Sequence, residues 1–123
     1  MTKVFYPAFA LFALCVISAF VSPPKEGQLI NTSLEITILD ELGNVVPGVE
    51  VQLYRNTEDY RQDTNALTDK FITDKKGEVL FKKLDPRVYF VDAVKGDSSN
   101  AGGAVATDTL EKNRRNRVNI IIE

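Results

Sequence analysis

From Leu34 onward the chain is written in short runs of alternating apolar and polar residues, with a turn signal about every eight to twelve positions. That pattern constrains the fold more than any other feature. A period of two places alternate side chains on opposite faces of a strand, so each run describes a strand with one buried face. Leu34, Ile36 and Ile38 point inward from the first run, and Val49, Val51 and Leu53 from the second. Gly43-Asn44 and Pro47-Gly48 separate them: Pro presets φ for a turn and Gly accepts positive φ after it. A weaker strand is expected over 67–73, followed by the hairpin turn Asp74-Lys75-Lys76-Gly77. Val79, Phe81 and Leu84 mark the next strand, and Asp85-Pro86 turns the chain again. The run 88–95 is the strongest strand by composition, with Tyr89, Val91 and Ala93 on one face. After a loop over 96–103, a short strand is expected over 104–107. Gly102-Gly103 reads as a bend or bulge before it, lacking the lysine and following helix of a phosphate loop. A polar turn over 111–116 leads to a last strand over 117–122, with Val118, Ile120 and Ile122 inward, which is expected to complete the domain. No segment carries a sustained helical period.

The N-terminus has a different composition. Lys3 precedes an apolar run from Val4 to Val21, broken only by Pro7 and Ser18. Residues 1–22 therefore read as an export signal or a membrane anchor, expected to be helical, and 23–33 as a linker stiffened by Pro23-Pro24. Three outcomes are open. Cleavage near Ser18 or Ala19 frees the domain. Retention anchors it, since the run approaches the ~20 residues that span a bilayer. Acylation of Cys15 makes a lipoprotein, although bulky Leu14 precedes that cysteine. The domain is thus expected outside the cytoplasm, periplasmic or extracellular, and touching membrane only through this segment.

Composition removes several function classes. The 123 residues contain no histidine, and the single cysteine is Cys15. Histidine-dependent nucleophilic schemes and zinc hydrolysis lack their groups, so no enzyme is expected. The net charge of −2 supplies no basic footprint for nucleic acid. Glu58-Asp59, Asp69, Asp74 and Asp92 are carboxylates without a tuned partner in view. Asp40-Glu41 and 97–100 offer oxygens, but fewer than the six to eight that calcium takes, and they read as turn caps. A Lys–Asn isopeptide through Asn119 lacks a lysine on the first strand. No metal and no cofactor are expected.

The runs Ile38-Leu39-Asp40, Gly43 to Val51, Thr73 to Phe81 and Leu84 to Val91 resemble the carboxypeptidase regulatory-like group. The resemblance implies a transthyretin-like (prealbumin-like) Greek-key β-sandwich of about seven strands over 34–123, in an all-β chain. It also implies an exported module that accompanies other envelope machinery. Arg87 stands where that group often has glycine, which favours a type I turn at Asp85-Pro86.

Two functions follow as expectations. The first is a binding or adhesion accessory at the cell envelope, acting on an envelope protein or a surface polysaccharide. Its candidate residues lie in or beside the long polar loop 56–66: Tyr54, Tyr60 and Arg61, since Tyr and Arg are enriched in binding hot spots. The alternative is a structural spacer or assembly part without a specific ligand, in which Tyr54 and Tyr60 only anchor the loop.

Overall fold

Alternation decides where side chains point, whereas hydrogen bonding decides which strands become neighbours. The computed structural model describes residues 31–123. The apolar segment 1–22 and most of the linker 23–33 lie outside the described residues. The elements run β1 (Ser33–Leu39), β2 (Glu50–Tyr54), α1 (Thr57–Gln62), β3 (Phe71–Ile72), β4 (Glu78–Phe81), β5 (Phe90–Lys95), β6 (Ser98–Ser99) and β7 (Arg115–Ile121). They form two sheets, with orders β4-β1-β7 and β3-β2-β5-β6. β1 pairs antiparallel with β4 and parallel with β7, and the second sheet is antiparallel throughout.

The inward faces are those that the alternation predicts. Leu34, Ile36 and Ile38 share one apolar cluster with Val49, Val51, Leu53, Tyr89, Val91, Ala93 and Ile120. Fully burying each large aliphatic side chain contributes about 1.5–3 kcal/mol, so this cluster holds the two sheets together. The arrangement is a sandwich-like all-β domain. At one side Phe71 stacks on Phe81, with centroids 4.8 Å apart and planes at 12°, joining β3 to β4 across the two sheets. At the other side Ser99 and Glu123 exchange both backbone hydrogen bonds, at 3.2 and 3.0 Å.

The turns are built by side chains. Asp40 Oδ1 accepts from the backbone N–H groups of Leu42 and Asn44, both at 2.9 Å. Asp74 Oδ1 accepts from those of Lys76 and Glu78, at 2.9 and 3.0 Å. These N–H groups hold both carboxyls below the usual carboxylate range. At the Asp85-Pro86 turn, the Tyr89 hydroxyl donates to Asp85 O and accepts from Asp85 N, at 2.8 and 2.9 Å. Arg87 is not among the positive-φ residues, as a type I turn requires.

Three expectations are corrected. The strand expected over 67–73 is regular only at Phe71–Ile72. On either side, threonine hydroxyls replace ladder groups: Thr68 Oγ1 accepts from Leu53 N at 3.2 Å and Thr73 Oγ1 from Val49 N at 2.9 Å. The strand expected over 104–107 is a single bridge from Ala106 to Phe90. The expected loop 96–103 instead contains β6, a short return strand after Gly96, which sits at φ +61. Asn119 faces outward on β7 and is exposed, not directed across the core.

Candidate functional site

The polar stretch 56–66 was expected to be an irregular loop, and it contains α1. Asn56 takes an extended conformation, and its side chain accepts from Asp59 N at 2.7 Å. Asn56 Nδ2 donates in turn to Asp59 Oδ2 at 3.1 Å, a side-chain pair that fixes the orientation of the capping carboxamide. Glu58 and Asp59 occupy the first turn and Arg61 the last, the charge order that the helix dipole favours. Asp63 closes the helix in the left-handed region at φ 57, with Asn65 also left-handed at φ 54.

No residue of α1 is fully buried, so the helix depends on its ends and on one aromatic contact. Tyr54, the last residue of β2, is only 1% exposed. Its hydroxyl donates to Asp63 Oδ1 at 2.7 Å, which fastens the C-terminal cap to the sheet. The Tyr60 ring meets the Tyr54 ring edge-on, with centroids 5.9 Å apart and planes at 81°. Burial raises the Tyr54 hydroxyl well above its ordinary value, and the Asp63 carboxylate adds to the shift. Burial also raises the Tyr60 hydroxyl, with the charge of Asp92 contributing.

The three sequence-predicted residues therefore have different surroundings. Tyr54 lies inside and offers no contact surface, so its part is to position the helix. Tyr60 is half-buried, with its ring against Tyr54. Arg61 is exposed, and its side chain makes no ion pair or hydrogen bond among the described residues. Asp63 and Asp92 were not singled out beforehand as part of this site. Asn56 followed by acids at 58 and 59 and a base at 61 was the available signal for the helix.

Beside α1, the outer face of the second sheet carries a hollow of about 160 Å³ lined by Glu50, Gln52, Asp63, Lys70, Asp92 and Val94. Burial raises the Asp92 carboxyl above its ordinary value, Asp63 raises it further, and Lys70 opposes the shift. The folded state thus holds the Asp92 proton more tightly than the unfolded chain does. This contribution to stability is present below the carboxylate range and is lost as pH rises through it. Asp92→Asn is expected to raise the melting temperature at about pH 7 and to change it little at about pH 3, read from thermal melts of both proteins. Among the described residues no group of three or more His, Cys, Asp and Glu is placed to hold a metal ion.

No family model matches the chain, and no curated protein matches it either.

Proposed function

We propose that this chain is a non-catalytic accessory module of the cell envelope that binds a partner through the exposed side of α1. In this reading residues 1–22 export the domain or anchor it, and the two sheets form a transthyretin-like Greek-key sandwich of the carboxypeptidase regulatory-like kind. The partner is an envelope protein or a surface polysaccharide. Tyr60 supplies an aromatic edge, Arg61 supplies a guanidinium without an ion-pair partner among the described residues, and Tyr54 holds the helix that presents them.

One observation carries the reading. A six-residue helix with no fully buried residue is secured at its N-terminus by Asn56 and at its C-terminus by the Tyr54–Asp63 bond. Isolated helices that short are not stable in water. Ordering the segment before it meets a partner removes an entropic cost of binding, about 0.5–1.5 kcal/mol for each long side chain already held. The lack of histidine in the whole chain supports the non-catalytic part.

The structural-spacer reading has its own support. Every buried side-chain N and O atom among the described residues already has an internal partner, so none is left aimed at a ligand. Photo-crosslinking separates the two. A crosslinker at position 61 of the exported protein is expected to yield a discrete adduct that a crosslinker at position 43 does not. Equal, diffuse labelling from both positions supports the spacer and defeats the binding reading.

A further inference from the structure

The register of β7 leaves one side of that strand open. Ser33 N donates to Arg114 O at 3.1 Å, and Ile122 N donates to Leu39 O at 2.9 Å. With Ser33 opposite Arg115 and Leu39 opposite Ile121, the residues bonded to β1 are Asn116, Val118 and Ile120. The backbone N–H and C=O groups of Arg115, Arg117, Asn119 and Ile121 therefore point away from the sheet. Glu123 continues the same parity, and its outward N–H and C=O already pair with Ser99 at 3.0 and 3.2 Å. The outer side of the strand is thus competent to form a ladder. β6 engages it at the far end, and no backbone group among the described residues engages it over Arg115–Ile121.

A groove of about 290 Å³ runs beside this open edge, with Leu34, Leu110 and Val118 among its lining residues. Arg114, Arg115 and Arg117 line it as well. Three guanidiniums share two carboxylates here: Arg114 pairs with Glu111, while Arg115 and Arg117 both reach Glu35, at 3.1 and 3.7 Å. Arg117 is the most open of the three, with its side chain 71% exposed. Asp108 and Glu111 line the groove too, and Asp74 and Glu78 share a hollow with Glu35 and Arg115, so the surroundings as a whole are not positive. On β7 itself, however, the outward-facing side chains at 115 and 117 are both arginines, and opposite charge is what favours a cross-strand neighbour there.

We propose that β7 is a docking edge for an extended, acidic segment of a partner polypeptide, added as a further strand beside Arg115–Ile121. The backbone ladder supplies affinity, and acidic side chains at alternate positions face Arg115 and Arg117. A second copy of this chain is a poor occupant. Pairing β7 with itself antiparallel brings the two Arg117 side chains into diagonal proximity on one face, and like charges there repel. The surface is separate from α1, so its failure leaves the helix reading untouched.

The test uses the full chain and two synthetic probes, Glu-Val-Glu-Val-Glu-Val-Glu and its Lys-for-Glu counterpart. The acidic peptide is expected to bind saturably, at least about ten-fold more tightly than the basic one, and to weaken as salt screens the arginines. Asn119→Pro removes one outward N–H without touching the β1 ladder, and it is expected to weaken the acidic peptide by about ten-fold. R115E/R117E is expected to reverse the preference, so that the basic peptide binds better. Melting temperatures report whether each variant folds, and the comparison of the two peptides on the unaltered chain needs no variant. Equal binding of both peptides, no saturable binding of either, or binding unchanged in folded R115E/R117E overturns the proposal. Concentration-dependent dimerisation that Asn119→Pro abolishes overturns it in favour of a second copy.

Discussion

Asn100→Leu is expected to cost about 3–5 kcal/mol, because it strands two buried backbone groups of β5. Asn100 was read from sequence as a turn residue of a polar loop, yet it is only 1% exposed. Its Oδ1 accepts from Ala93 N at 3.0 Å, and its Nδ2 donates to Val91 O at 2.8 Å and to Ala104 O at 3.3 Å. The carboxamide continues the ladder along β5 where β6 stops. Leu has a similar volume but neither hydrogen-bonding group, so the N–H of Ala93 and the C=O of Val91 lose their partner without a water to replace it. Each such loss costs about 1–3 kcal/mol. For a domain of this size the melting temperature should fall on the order of 15–25 °C. Asn100→Asp separates the two bonds. A carboxylate still accepts from Ala93 N, but it donates to Val91 O only when protonated. The folded state therefore favours the protonated form, and the stability of this variant should fall as pH rises through the carboxylate range. A loss below about 1 kcal/mol for Asn100→Leu, measured by urea denaturation, contradicts this account.

The second large effect lies at Gly77. Its φ is +74, and a Cβ there would sit 3.0 Å from Ile38 O, Val45 Cβ and Val46 N. Two of these are backbone atoms, one in β1 and one in the connection leaving it, and neither can move aside as a side-chain tip can. Gly77 O also accepts from Ile38 N at 2.8 Å, so displacing the turn breaks a bond to β1. Gly77→Ala should cost about 2–4 kcal/mol, combining the left-handed penalty with the overpacked contact. Gly43 provides the comparison. It has φ +87 with nothing within 4 Å of the added carbon, so Gly43→Ala carries the backbone penalty alone, about 1–2 kcal/mol. Chemical denaturation of the two variants side by side measures the difference. Equal losses would show that the approach of Gly77 to the β1 exit has no energetic weight.

The inward faces were legible because alternation is a local property. Leu34, Ile36, Ile38, Val49, Val51, Leu53, Tyr89, Val91 and Ala93 are all buried, as their spacing requires. Pairing was not legible, because both β1 and β7 alternate and nothing in either run specifies a parallel neighbour. The open edge of β7 emerges only from that register. α1 escaped notice because six residues span less than two turns, too few for a helical period to show. Its caps were visible at Asn56, Asp59 and Asp63, but capping residues also serve turns. The surroundings of Tyr54 were not legible: an aromatic at the end of a strand reads equally as a surface contact or as a buried support. Only its 1% exposure and the bond to Asp63 decide between them.

The proposed binding role depends on α1 presenting Tyr60 and Arg61 to a partner. Its direct test is capture of envelope components on the immobilised full chain, comparing the unaltered protein with Y60A/R61A at matched thermal stability. The account predicts a saturable partner whose recovery falls at least about ten-fold with the double variant, as expected when hot-spot side chains are removed. Full and equal recovery on both proteins would contradict it.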